Sequence, residues 1–480
     1  MRAGSIGNWV WRGAAIGATL LALVLALRVM QSERQPELKP WHTWAPREAD
    51  ADAIDALDWQ GWLAAEDALM EEVRAHMADE LEPADRVAAN RYFDGSPLNS
   101  AHFAHDWNRS YELLPAGEPV GAVVLLHGLS DSPYSLRHVA RSYVEHGFVA
   151  IGLRLPGHGT VPAGLTRAHW QDWRAATRLA LREARRVAGA GKPLHLVGYS
   201  NGGALALQYS LDAVSGTGLE VPARVVLVSP MIGLTRFARY AGIAGWPALL
   251  PRFSKTAWLD LVPEFNPFKY NSFPVNAARQ SYELTQVIDA SLRGAVESGA
   301  INKLPPLLAF QSVVDSTVAG EAVVGTLFAR VPENGSELVL FDVNRATPFD
   351  LLLSPAAQRR LGQMLPAGAQ RYRITVLGNS PGEPRVSENT RLPGSAAVAT
   401  RLLDLPYPAG FFSLSHVALP FPPSDSLYGT DPDAEDFGVH LGSQAPRAER
   451  GTLINGADTL VRASCNPFFD YMRRRIEEGL

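Results

Sequence analysis

The spacing of apolar and polar residues changes character along the chain. Gly13 to Leu27 is an unbroken uncharged run, rich in Leu and Ala and bracketed by Arg12 and Arg28. The apolar region of a signal peptide is roughly 7–15 residues long, and a membrane-spanning helix needs about 20. Trp9, Val10 and Trp11 lengthen the run on one side, and Val29 and Met30 on the other. No small-residue cleavage pattern follows it, because Leu27-Arg28-Val29-Met30 comes directly after the apolar stretch. The pattern predicts an uncleaved anchor helix over residues 1–30, with a cleaved signal peptide as the alternative. Arg2 and Arg12 face Arg28, Arg34 and Lys39 across the run. This near balance leans towards an exported remainder held at a bacterial inner membrane, or a periplasmic one after cleavage.

Residues 31–106 form a second zone. Gln31 to Arg47 is polar and Pro-containing, with Trp41 and Trp44, and reads as a linker close to a surface. From Asp50 to about Asn90, Trp59, Trp62, Leu63, Leu69, Val73 and Met77 recur at helical spacings. They predict a helical pair packed on the main domain. From Trp107 to the end at 480 the pattern alternates. Apolar runs at Gly121–Leu126, Val149–Leu153, Leu194–Val197, Val225–Val228 and Leu307–Phe310 are separated by helical segments such as Ser135–His146 and Trp170–Val187. That alternation predicts an α/β fold with a doubly wound, mostly parallel sheet. In such a sheet, ligands bind beyond the carboxyl ends of the strands. Residues 236–300 form an insertion rich in aromatics and Pro, read as a lid. A second insertion, 345–405, holds one helix, Pro355–Met364, and one strand, Tyr372–Leu377.

Composition narrows the choices. The chain has 480 residues, 46 % hydrophobic and 19 % charged, with a formal charge of −5. This is an ordinary globular balance; it excludes a disordered or collagen-like chain. With no basic stripe, a nucleic-acid partner is not expected. The single cysteine, Cys465, excludes an intramolecular disulfide framework and a thiolate metal cluster. No metal-binding, nucleotide or phosphate-loop motif occurs, so no cofactor or metal is expected. Nothing points to a protein partner.

The most informative stretch is His195-Leu196-Val197-Gly198-Tyr199-Ser200-Asn201-Gly202-Gly203-Ala204. It reads as a strand, a G-x-S-x-G turn and a helix. Glycines on both sides of Ser200 allow the tight turn, and the helix amino end then faces developing negative charge. Upstream, Val123-Val124-Leu125-Leu126-His127-Gly128-Leu129 runs a strand into a His-Gly turn. The backbone N–H groups of Leu129 and Asn201 are the candidate oxyanion donors. His127 is read as ordering its turn, and so is His158 in Pro156-Gly157-His158-Gly159. A nucleophilic serine needs a base, and the base needs an orienting carboxylate. His416 and His440 are the histidines that follow Ser200. His416, after Phe412-Ser413-Leu414-Ser415, is taken as the base, with His440 as the rival. Asp315, just past the run Leu307–Val314, is taken as the acid; Asp342, after Leu338–Phe341, is its rival.

Together these motifs resemble the α/β-hydrolase superfamily. They look most like the branch that holds monoacylglycerol lipases, lysophospholipases and serine aminopeptidase-type hydrolases. The resemblance runs from about Trp107 to Leu480. It implies an eight-stranded sheet, a lid before the acid, ester hydrolysis, and the roles of nucleophile for Ser200, acid for Asp315 and base for His416. The interval from Asp315 to His416 is 101 residues, longer than is usual in that family. The expected activity is a serine carboxylic-ester hydrolase acting through an acyl-enzyme on a monoacyl lipid or other hydrophobic ester. A serine peptidase or an acyltransferase with the same triad is the alternative. The lid residues Trp246, Leu249, Leu250, Phe253, Trp258, Leu259, Leu261 and Phe265 suit an acyl chain or a membrane face. A peptidase would need lid carboxylates for the substrate amine, and Asp260, Glu264 and Glu283 are the ones available.

Overall fold

A computed structural model describes residues 4–233, 245–315, 317–318, 320–346, 364, 368–442 and 464–480, with side chains from residue 11 onward. The chain opens with helix α1 (Gly4–Glu33), then α2 (Ala51–Ala56) and α3 (Trp59–Glu80). Asp50 and Asp58 cap α2 and α3 by accepting from Ala53 N and Gly61 N. The strands are β1 (Tyr111–Leu113), β2 (Gly121–Leu126), β3 (Phe148–Leu153), β4 (Leu194–Tyr199) and β5 (Arg224–Val228). A small hairpin follows, β6 (Trp258–Asp260) with β7 (Phe273–Pro274), and then β8 (Leu307–Ser312), β9 (Glu337–Phe341), β10 (Arg373–Ser380), β11 (Glu383–Arg391) and β12 (Val398–Pro406). The main sheet has ten strands in the order β1-β3-β2-β4-β5-β8-β9-β10-β11-β12. The strands from β3 to β10 along that order pair in parallel; β1, β11 and β12 join antiparallel at the two edges.

Helices cover both faces of the parallel part. Strand periodicity of two sends Val124, Leu126, Leu196, Leu227 and Ala309 to one face, where they meet α5 (Trp170–Ala188), α6 (Asn201–Val214) and α7 (Val275–Glu297). It sends Val123, Leu125, Val197, Val226 and Phe310 to the other, against α4 (Arg137–Glu145) and α8 (Phe469–Glu477). Every residue of β2, β3, β4 and β8 is buried, which is why their sequences are continuous apolar runs. The fold is therefore the doubly wound α/β arrangement.

Three expectations need adjusting. The sheet has ten strands rather than eight, because the second insertion adds an antiparallel pair at the edge. The expected lid 236–300 divides. Residues 236–244 lie outside the described residues, 246–257 form short helical turns, and α7 is a core helix with Leu284, Ile288 and Leu292 fully buried. The expected helix Pro355–Met364 lies outside the described residues apart from Met364 itself.

The zone 31–106 is packed into the molecule. Ile54, Trp59 and Trp62 belong to the main core. Glu66 of α3 accepts from Arg154 Nε at 2.6 Å, and Glu48 from Arg154 Nη1 at 2.9 Å. Among the described helices α1 differs from the rest. Its stretch Trp11–Glu33 has a mean hydropathy of 2.0, and none of its most apolar window is buried.

Candidate active site

Ser200 sits between β4 and α6 in a conformation that side-chain-bearing residues rarely adopt, φ 53° and ψ −112°. The turn is held by main-chain bonds on both sides. Ser200 N donates to Val228 O at 3.0 Å, and Met231 N donates to Ser200 O at 3.0 Å. Two glycines make it feasible. A Cβ on Gly202 would overlap the Leu126 carbonyl, and one on Gly198 would overlap the Gly202 carbonyl. Such strain persists only where the surroundings over-determine it, and it concentrates at functional sites.

The His127-Gly128-Leu129 turn lies directly against this elbow; Gly128 abuts the Tyr199 ring and the Ser200 Cβ. Neither Leu129 N–H nor Asn201 N–H makes a hydrogen bond within the described residues. His127 is buried, and burial pushes its ring pKa well below the usual value, so it is neutral. Its Nε2 accepts from Leu155 N at 3.0 Å, which ties this turn to the Arg154–His158 loop. That loop rests in turn on Arg154, whose guanidinium donates to His158 O at 3.0 Å and to Glu48 and Glu66. Asp131, just after the turn, is also buried, and burial pushes its carboxyl up to about 6 against the pull of Lys269.

Asp315 and His416 meet at the carboxyl ends of β5 and β8. His416 Nδ1 lies 3.0 Å from Asp315 Oδ2. Asp315 accepts four further bonds: from Ser229 Oγ at 2.6 Å, Gln311 Nε2 at 2.9 Å, Thr317 N at 2.8 Å and Val318 N at 2.9 Å. Burial raises this carboxyl, but the His416 bond and charge, with Ser229 and Val318 N–H, outweigh it and hold it at about 2. The same His416 nitrogen lies 3.1 Å from Ser229 Oγ. Ser229, like Ser200, has a positive φ, 46°, and follows the last residue of β5.

The long return from Asp315 to His416 is stapled to the strand ends. Ser312 Oγ donates to Leu414 O at 2.8 Å, Asn344 N to Phe412 O at 2.6 Å, and Tyr407 Oη to Asp342 O at 3.1 Å. His416 therefore arrives beside the elbow, its ring 5.3 Å from that of Tyr199. Ser200, Asp315 and His416 are each 7 % exposed, so the group is enclosed but reachable. No hydrogen bond joins Ser200 Oγ to His416. Such bonds are often long without substrate and tighten in the Michaelis complex.

The rivals lie elsewhere. Asp342 is paired with Arg345 at 2.9 Å, and His440 Nδ1 bonds Ser426 O at 2.8 Å. The three carboxylates expected from sequence to serve a lid do not converge. Glu264 is buried and accepts from Asn271 N and Ser272 N, Glu283 pairs with Arg279, and Asp260 is exposed. Sequence reading passed over Ser229 and Gln311. The available signal was a polar residue at or beyond the end of a buried strand. Among the described residues, no cluster of three or more His, Cys, Asp or Glu side chains is arranged to hold a metal.

Residues 117–282 match a family profile described as "Serine aminopeptidase, S33". A thermostable monoacylglycerol lipase from Bacillus sp. (strain H-257) is 27 % identical over 192 residues, which is 38 % of this chain and 72 % of that one. Among solved structures, a metagenome-derived lipolytic enzyme aligns over 54 % of this chain and 97 % of its own, at 21 % identity and a TM-score of 0.38. A soluble variant of monoglyceride lipase from Saccharomyces cerevisiae aligns over 48 % of this chain and 82 % of its own, at 17 % identity and a TM-score of 0.38.

Proposed function

We propose that the chain, which is similar over residues 117–282 to the serine aminopeptidase profile and over 192 residues to a monoacylglycerol lipase, is a serine carboxylic-ester hydrolase working through an acyl-enzyme. One observation carries this reading above the others. Ser200 stands on a strained elbow at φ 53°, at the strand ends where Asp315 and His416 lie 3.0 Å apart. His416 Nε2 takes the Ser200 proton as Oγ attacks the ester carbonyl. Asp315 fixes the ring tautomer through Nδ1–H and stabilises the imidazolium. The amides of Leu129 and Asn201 hold the oxyanion; losing one such donor costs about 10²–10³ in rate. The alcohol leaves with the proton from His416. Water, deprotonated by the same ring, then frees Ser200 and the acid.

The substrate is a monoacyl lipid or other hydrophobic ester, and α1 anchors the enzyme in the membrane. The Trp11–Glu33 stretch is 23 residues of mean hydropathy 2.0. At 1.5 Å per residue such a helix crosses a hydrocarbon core of about 30 Å. On this reading residues 1–30 are the anchor, 31–106 brace the Arg154 loop, and 107–480 form the hydrolase region. The scattered lid carboxylates favour an ester over a peptide amine. The test is hydrolysis of p-nitrophenyl esters from acetyl to palmitoyl by the wild type and Ser200→Ala. The expected result is a loss on the order of 10⁶-fold in the variant, with the wild-type optimum at medium or long acyl chains. Folded wild type that cleaves none of these esters, or a variant that retains activity, contradicts the reading. Adding an alcohol acceptor and analysing the products separates hydrolysis from transfer.

A further inference from the structure

α1 does not stand apart from the body. Its carboxyl end packs on the turns between residues 246 and 257. Four hydrogen bonds fasten it and the residues just past its end there. The Arg28 guanidinium donates to the main-chain oxygens of Trp258 and, at 3.5 Å, Thr256. Gln35 Nε2 donates to Leu259 O at 3.0 Å, and Lys255 Nζ donates back to Gln35 O at 3.2 Å. Below this seam Trp258 and Leu261 are buried with Trp41 in a core of their own. Above it the same segment turns apolar side chains outward. Leu249 is 85 % exposed, Leu250 59 % and Trp246 53 %. Water is a poor solvent for such a cluster, and contiguous exposed apolar surface marks a contact face. Arg252 and Lys255 lie in the same segment and Arg34 just past α1, with the exposed acids Glu33, Glu37 and Asp260 in the same stretches.

We propose that α1 and residues 246–259 form one membrane-docking unit. Trp246, Leu249 and Leu250 enter the same leaflet that α1 leaves. The eight-residue apolar set expected from sequence is thereby split. Trp258, Leu261 and Phe265 hold the segment to the body, and Trp246, Leu249 and Leu250 face lipid. Leaflet contact at two places removes the freedom that a helix on a loose tether would have. The hydrolase region is then held in one orientation on the surface that carries its substrate. This inference rests on the reading of α1 as a spanning helix, and it is independent of the ester chemistry.

The test uses the full chain in a Cys465→Ser background, with an environment-sensitive fluorophore at Leu249→Cys. A second sample carries the label at Ser215→Cys, at the far end of α6. Both are reconstituted in phosphatidylcholine vesicles with about a quarter phosphatidylglycerol, with and without spin-labelled lipid. The expected result is at least a twofold loss of fluorescence for the label at 249 and none at 215. Equal signals from the two sites, with the protein still sedimenting with the vesicles, overturn the proposal and leave the anchor standing. If the chain does not sediment with the vesicles at all, the anchor reading falls and the docking unit with it. A cooperative thermal transition and a far-UV circular dichroism spectrum matching the unlabelled protein show that each labelled sample is folded.

Discussion

The two sides of the proposed triad are built by opposite means. On the nucleophile side, the main chain does the positioning. Ser200 is pinned by Val228 O and Met231 N, and Gly198 and Gly202 leave no room for a Cβ. On the acid–base side, side chains do it. Asp315 gathers Ser229, Gln311 and His416, and Ser312, Asn344 and Tyr407 staple the returning loop. The first design demands an uninterrupted local sequence. The second tolerates a long excursion, provided the chain comes back to the same strand ends. This difference explains how β10, β11 and β12 fit between acid and base without separating them: the hairpin extends the sheet edge and leaves β8 and β9 in place.

The sharpest way to break the side-chain half is Asp315→Asn. It should lower kcat on a p-nitrophenyl ester by about 10⁴-fold, since the amide favours the wrong His416 tautomer. It also carries a stability signature. Asp315 is held at about 2, below its unfolded value near 3.9, so its contribution is present above pH 3.9 and is lost as pH falls through about 2. Thermal unfolding of wild type and variant should therefore converge as pH falls from 5 to 2, and a constant gap would count against the assignment. On the main-chain half, the brace beneath the His127-Gly128-Leu129 turn is the weak point. Glu66→Ala leaves Arg154 buried beside Glu48 alone and should cost about 3–5 kcal/mol in urea unfolding. Next comes the outer hairpin. Val386 is fully buried, so Val386→Ala should cost about 2 kcal/mol with kcat unchanged. A large fall in kcat there would show that the hairpin does more than extend the sheet. The smallest effect is expected from Ser229→Ala, about a tenfold loss in kcat with KM unchanged, comparable with the removal of one hydrogen bond to a charged group. Ser229→Gly, which suits the positive φ but lacks the hydroxyl, should lose as much, whereas a serine kept only for its backbone conformation would lose nothing on that change.

What could be seen in the sequence follows the same division. β2, β3, β4, β5 and β8 were legible because a strand buried on both faces is a continuous apolar run. β11 reads Glu-Pro-Arg-Val-Ser-Glu-Asn-Thr-Arg, with Val386 its sole fully buried residue, and β12 is largely exposed. Such strands are held by backbone pairing, which leaves no apolar signature. α7 was folded into the lid because its helical stripe, Leu284, Ile288 and Leu292, lies inside an insertion. The elbow at Ser200 was visible as a local motif. Ser229 and Gln311 were not, because their role exists only where strands 82 residues apart in sequence meet.

The central claim is that Ser200 becomes acylated with His416 as its base. The most direct measurement is intact mass and peptide mapping after reaction with a fluorophosphonate, for wild type, Ser200→Ala and His416→Ala. The account predicts one adduct per chain on the Ser200 peptide, none in Ser200→Ala, and labelling slowed at least 10²-fold in His416→Ala. An adduct on another residue, or folded wild type that takes up no label, would contradict it.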